Sequence, residues 1–171
     1  MGSDDRSWFD PLVRSLGNRA LRFALMNVGD LETARDIVQE AFVRCWSSPK
    51  TPSNETEFLR WLYRVIINIA RDYHRGQVRL SNLPVPPILP ADPAEQFERR
   101  SEDQEVLAAL RTLNLRERQA IYLRYFEDLP FADVARIMAS PQVNMRVLVH
   151  RALGKLKRQL EAGMVEEAVV S

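Results

Sequence analysis

Arg60, Arg64, Asn68, Arg71 and Arg75 recur at i, i+4, i+8, i+11 and i+15 within "RWLYRVIINIARDYHR". On a helix these side chains fall within about 80° of one another. A row of guanidiniums at that spacing suits one kind of chemistry, the neutralisation of successive phosphates on a nucleic-acid backbone. Trp61, Leu62, Val65, Ile66, Ile69 and Tyr73 fall on the other side, so the segment is sharply amphipathic. Asp72 and His74 flank the stripe from opposite sides, and Asp72 is the only acid in the segment. A merely solvated face usually mixes signs more evenly. Taken alone, the stripe leaves a phosphate-binding face and a plain solvated face both open.

A second basic segment lies near the C-terminus, "NMRVLVHRALGKLKRQL", and residues 144–160 contain no acid. With helical periodicity, Met145, Val149, Ala152, Leu153, Leu156 and Leu160 form its buried side. Arg146, His150, Arg151, Lys155, Lys157 and Arg158 spread over the remainder, with Val147 among them. Val147 reads either as an ordinary surface valine or, near the start of a recognition helix, as a contact for a thymine methyl. "DLPFADVARIMA" precedes this segment across "SPQV", where Ser140 is the expected N-cap and Pro141 the first helical residue. Two helices joined by a tight turn, the second basic, make the helix-turn-helix layout.

The elements that must hold these two stripes are helical throughout. No segment alternates like a strand. Residues 8–27 read as one or two helices. "GDLETARDIVQEAFVRCW" starts another, with Asp30 as N-cap, Glu32 in the first turn, and Ala34, Ile37, Val38, Ala41, Phe42, Cys45 and Trp46 as its apolar side. A polar loop, 47–57, leads into the arginine-striped helix. "LPVPPILPADPAE", 83–95, is proline-rich and reads as a non-helical tether. Beyond it, 102–113 is a helix, and Asn114 with Glu117 forms a capping box for a helix running to about 127. The expected fold is all-α, with two small helical domains joined by the proline-rich linker and the C-terminal one a helix-turn-helix. The expected boundaries are 7–76, a linker over 77–100, 101–161, and a tail over 162–171.

Composition narrows the function. The 171 residues are 46% hydrophobic and 27% charged, as in ordinary globular proteins, and the net charge of +1 announces no polyanion-coating protein. Charge is instead segregated, with acids gathered in 30–40 and 92–105, which suits distinct docking faces. Cys45 is the only cysteine, so no disulfide forms within the chain and a reducing cytoplasm is the expected compartment. No apolar run is long enough to span a bilayer, and the acidic start lacks a signal-peptide layout. His74, His150 and Cys45 do not make a zinc set. No cofactor motif, metal site or catalytic residue is assigned, and no enzyme activity is expected.

The motifs in order resemble the extracytoplasmic-function group of bacterial sigma-70 factors. "ETARDIVQEAFVRCW" is similar to the signature by which the family's first domain docks on RNA polymerase. "FLRWLYRVIINIARDYHR" is similar to the helix that handles the −10 promoter element. "LNLRERQAIYLRYFEDLPFADVARIMASPQVNMRVLVHRALGKLKRQL" aligns without a gap to the C-terminal domain that reads the −35 element. The likeness covers about residues 8–160. It implies that Asp36, Gln39 and Glu40 bind polymerase, whose β′ and β subunits are the expected partners. It implies that Ser53, Asn54, Tyr63, Arg64, Asn68, Arg71, Asp72 and Arg75 serve the −10 element, the arginines on the backbone and Asn68 at an extruded base. Thr56 is a further hydrogen-bonding group in the loop. Tyr63, at the edge of the buried side, is the candidate stacking platform, with Trp61 and Tyr73 buried. Asn144, Arg146, Val147, His150, Arg151 and Lys155 would serve the −35 element. Promoter DNA is the second partner, and an anti-sigma factor a third that the sequence does not name.

Two departures stand out. Ala139 occupies the turn where the family usually has glycine, and "NMRVL", 144–148, replaces a more polar start to the recognition helix. Two other readings compete. A stand-alone helix-turn-helix regulator binding duplex operator would leave the arginine stripe and "DIVQE" without purpose. A helical adaptor would involve no nucleic acid at all.

Overall fold

In a computed structural model of the chain, residues 6–80 and 109–170 are described, and every regular element among them is a helix. The chain divides into two compact units, Met1–Ile88 and Leu89–Ser171.

The first unit holds α1 (Phe9–Val28), α2 (Leu31–Ser47) and α3 (Glu55–Leu80). Residues 9–28 form one continuous helix. It stops at Gly29, whose left-handed φ of 76° lets its N–H reach back to the Leu25 carbonyl at 2.8 Å. Without a Cβ, glycine adopts this cap at little cost. Asp30 then caps α2, accepting from the Thr33 N–H at 2.8 Å and the Thr33 hydroxyl at 2.6 Å. Those bonds, the hydroxyl's foremost, hold its carboxyl below the usual value. The loop after α2 is pinned where the Thr51 hydroxyl donates to the Cys45 carbonyl at 2.7 Å. α3 continues to Leu80, past residue 76 where the sequence reading ends the helical unit.

The three helices meet over a core that includes Leu16, Phe23, Ile37, Phe42, Phe58, Leu62 and Ile66. Phe9, Phe42 and Phe58 form an aromatic cluster with ring centroids 5.7 to 6.3 Å apart. Cys45 lies inside, and burial pushes its thiol up to about 12. Trp46, expected on the buried side, is 45% exposed. One part of its ring meets Phe9 edge-on at 5.0 Å and Arg6 lies over it at 5.0 Å, so it closes the end of the core rather than filling it.

In the second unit, residues 109–111 are helical and Asn114 begins α4 (Leu115–Ile121). The capping box is present, with the Glu117 N–H donating to Asn114 Oδ1 at 2.9 Å and the Asn114 N–H to Glu117 Oε2 at 3.1 Å. A single α-helix does not run on to 127. Tyr122–Phe126 form a wider turn closed by the Glu127 N–H on the Tyr122 carbonyl at 3.1 Å. This π-turn keeps Leu123 buried while Tyr122 and Phe126 stack at 5.2 Å. α5 (Phe131–Ile137) and α6 (Gln142–Val170) follow. α6 starts one residue later than expected: the Pro141 carbonyl receives its first i→i−4 bond, from the Met145 N–H at 3.2 Å, so Pro141 occupies the cap instead of Ser140. The segment expected to be a tail continues α6 as helix to Val170. The expected tether at 83–95 and most of the expected helix 102–113 lie outside the described residues.

Candidate nucleic-acid and polymerase interfaces

α2 turns its acid and amide groups outward. Asp36, Gln39 and Glu40 are all exposed, and Glu40 pairs with Arg44 one turn on. Val43 is 57% exposed and falls between Glu40 and Gln39 on the helical wheel. The face is therefore an acidic stripe with one apolar residue at its centre, which the sequence reading missed.

The stripe on α3 is narrower than its spacing suggested. Arg64, Arg71 and Arg75 are exposed, as is Asp72. Arg60 is only partly exposed and is paired with Glu57. Asn68 is half-buried and accepts from Arg71 Nη2 at 3.2 Å. That contact orients its carboxamide and leaves the amide N–H groups to address a ligand. His74 belongs to the scaffold rather than the stripe: its Nε2 donates to the Asn27 carbonyl at 2.7 Å, tying α3 to the end of α1. Ser53 and Asn54 are exposed at the mouth of the preceding loop. Asn54 Oδ1 accepts from the Thr56 N–H at 3.0 Å and the Glu57 N–H at 3.3 Å, so this oxygen is committed to capping α3.

Tyr63 is not at the edge. It is 0% exposed, its ring packed on Phe23 at a centroid distance of 4.5 Å, and no base can stack on it. The buried arc of α3, through Phe58, Leu59, Leu62, Tyr63, Ile66, Ile69 and Ala70, is rotated by about 50° from the one periodicity suggested. The same rotation moves Trp61 out of the core to the border of the arginine stripe, where it is half-buried. Trp61, not Tyr63, is the aromatic group beside the cations.

On α6 the buried side is Met145, Val149 and Ala152, while Leu153 is exposed and Leu156 and Leu160 are half-buried. The outward ridge opposite them carries Val143, Val147, His150 and Arg151, with Asn144 at its edge. Val147 is 45% exposed and Val143, one turn earlier, 65%. The sequence reading began the reading segment at Asn144 and so left Val143 out. Two of its other candidates also contact neighbouring elements. Lys155 Nζ donates to Glu117 Oε1 at 2.6 Å, which joins α6 to α4. Arg146 lies over the ring of Phe131, its guanidinium carbon 4.8 Å from the centroid. The turn between α5 and α6 passes through Ala139 at a φ of 49°, the left-handed conformation that glycine usually supplies.

Among the described residues no group of His, Cys, Asp or Glu is arranged to hold a metal ion, and no helix is long and apolar enough to cross a membrane.

Two family profiles match the chain, "Sigma-70 region 2" over residues 12–80 and "Sigma-70, region 4" over 103–156. The ECF RNA polymerase sigma-E factor of Haemophilus influenzae is 30% identical over 74% of this chain and 74% of its own length. The RNA polymerase sigma-H factor of Pseudomonas aeruginosa is 27% identical over 92% of this chain and 88% of its own. The fold is that of the sigma factor RpoE solved with the anti-sigma factor NepR from Bartonella quintana, at a TM-score of 0.74 and 21% identity over 90% of this chain and 96% of that one. The chain belongs to the sigma-70 family of RNA polymerase sigma factors, in its extracytoplasmic-function group. It is accordingly a transcription-initiation factor, and the stand-alone regulator is not favoured, because the region 2 match spans both α2 and α3.

Proposed function

We propose that the chain brings core RNA polymerase to promoters through three separate faces. The α2 stripe of Asp36, Gln39, Glu40 and Val43 docks on polymerase, at the β′ subunit, while the second unit works against β. On α3, Arg64, Arg71 and Arg75 follow the backbone of the melted −10 strand. Asn68, Trp61, Ser53 and the loop before α3 form the receptacle for a base taken out of the stack. Holding single-stranded DNA requires phosphate neutralisation together with an aromatic or hydrogen-bonding platform, and this helix offers both side by side. The ridge of α6 enters the −35 major groove, with Val143 and Val147 towards thymine methyls and His150 and Arg151 beside them.

The observation that carries this reading is the rotation of α3. It buries Tyr63 and leaves Trp61 and Asn68 partly open beside three exposed arginines. In this reading the chain performs no catalysis, acts in the cytoplasm where polymerase works, and is held in check by an anti-sigma factor, as the solved RpoE relative is bound by one. The test is transcription in vitro with purified core enzyme on a library of randomised promoters. The expected result is defined start sites with shared −10 and −35 elements. Transcripts no more focused than those of core enzyme alone refute it.

A further inference from the structure

The match to region 4 ends at residue 156, but α6 runs on to Val170. From Glu161 onward every described side chain on it is exposed, Met164 and Val169 included. A bare helical stretch this short is marginal in water, and helices are ordinarily sustained by covering an apolar face. α6 has such a face. Leu153, Leu156, Leu160 and Met164 fall within about 80° of one another on the helix. Leu153 and Met164 are exposed, and Leu156 and Leu160 between them are half-buried. The line lies about 120° round the helix from the ridge of Val143, Val147, His150 and Arg151, so the two faces take different ligands. Charge decides what fits along the line. Residues 151–158 carry Arg151, Lys155, Lys157 and Arg158 with no acid, while Glu161 and Glu166 follow with no base beyond Arg158. Lys157 and Glu161 border the apolar line on the same side, both exposed, and among the described residues neither is ion-paired. A helix with one basic half and one acidic half is complementary to itself when turned end for end, and repels itself in parallel.

We propose that this face of α6 is a contact between two copies of the chain, paired antiparallel about a two-fold axis at Leu160. Such a contact uses one patch twice. Leu160 meets Leu160 of the second copy, and on either side of the axis Leu156 of one copy meets Met164 of the other. Along the shared flank, Lys157 of each copy comes beside Glu161 of the other, so the same ion pair forms twice. The opposed helix dipoles favour the same direction. From Leu153 to Met164 the apolar line is only about 17 Å long. It therefore covers much less than the roughly 1,200–2,000 Å² of a standard interface, and the dimer is weak, half-formed at roughly 10–100 µM. The contact draws on none of the faces assigned to polymerase or promoter, and it stands apart from that reading.

The test is sedimentation velocity of the full chain over a concentration series from about 1 to about 300 µM, where mass action should carry it from monomer to dimer. Met164→Glu, at an exposed position that leaves the fold intact, should raise the dissociation constant about tenfold or more, since it puts an unpaired acid against Leu156 of the second copy twice over. Lys157→Glu and Glu161→Lys should each weaken pairing about threefold to tenfold, and the double exchange should restore it to within about twofold. The direction of pairing is read by cysteine cross-linking under mild oxidation, with the native Cys45 buried and silent. Leu160→Cys should cross-link readily at the axis, whereas Met164→Cys should not, because its two copies lie about 12 Å apart along the helices. Circular dichroism of each variant confirms that the helices are retained. A chain that stays monomeric through the whole series overturns the proposal, as does a dimer that Met164→Glu leaves unchanged. Cross-linking of Met164→Cys as fast as that of Leu160→Cys overturns the antiparallel register, as does failure of the double charge exchange to restore pairing.

Discussion

Replacing Ala139 with glycine should stabilise the second unit. Ala139 sits at a φ of 49° in the turn between α5 and α6. For an L-residue with a Cβ, the left-handed helical region costs about 1–2 kcal/mol, and glycine escapes that cost. Glycine also widens the unfolded ensemble, which works against the folded state by about 0.4–1 kcal/mol. Ala139 is exposed, so removing its methyl sacrifices no packing. The strain term wins, and the net gain is about 0.5–1 kcal/mol. In urea, with a slope of about 1 kcal/mol per molar for a unit of this size, the midpoint should rise by about 0.5–1 M. The two units need not unfold together, so the assay must separate them. The chain provides the means, because its 3 tryptophans, Trp8, Trp46 and Trp61, all belong to the first unit. Tryptophan fluorescence should show an unmoved transition while far-UV circular dichroism shows a later one. Asp128→Gly, at a φ of 52°, should gain less, because aspartate tolerates this region better than alanine. A lower midpoint for Ala139→Gly, or a shift in the fluorescence transition instead, would show that the turn is not built this way.

Reversing Asp36 and Glu40 to lysine should lower affinity for core polymerase while helix content stays constant, since both are exposed; unchanged capture of core enzyme rejects the docking face. Tyr63→Ala should destabilise the first unit by about 3–5 kcal/mol, whereas Trp61→Ala should fold and form fewer open complexes, scored by permanganate reactivity at the −10 element. A folded Tyr63→Ala protein with the same melting defect would reverse the two assignments. Val147→Ser should relax a thymine preference in −35 sequences selected by holoenzyme, by about 1 kcal/mol at most; identical selected sequences make Val147 an ordinary surface residue. Cys45, buried with its thiol raised to about 12, should be alkylated far more slowly in the native protein than in urea, and equal rates would place it outside the core.

The helix starts were the most legible part of the chain, because caps are local chemistry. Asp30 with Thr33, and Asn114 with Glu117, satisfy backbone donors within a few residues, so their meaning does not depend on the rest of the fold. The orientation of α3 was legible only in part. Periodicity reports that an apolar arc exists, but its centre depends on what α1 and α2 press against it, and that is how Tyr63 and Trp61 exchanged places. The π-turn at Tyr122–Phe126 left no signal, since "YLRYF" suits an ordinary helix equally well. The contacts of Arg146 with Phe131 and of Lys155 with Glu117 were not legible, because the partners lie on other helices and no spacing rule connects them.

Helix α6 has a practical consequence for measurement. Its 29 residues run without interruption from the reading turn to Val170, and Met164 on it is exposed. At about 1.5 Å per residue, Met164 lies about 29 Å along the axis from Met145, which is anchored in the core of the second unit. A dye placed by Met164→Cys would react selectively, because the native thiol at Cys45 is shielded and resists ionisation. Mounted on a stiff rod rather than a loose terminus, such a label would take on the rotational diffusion of the unit itself. Its fluorescence anisotropy would then rise as the unit gains hydrodynamic mass, giving an optical record of assembly without a tag on any partner.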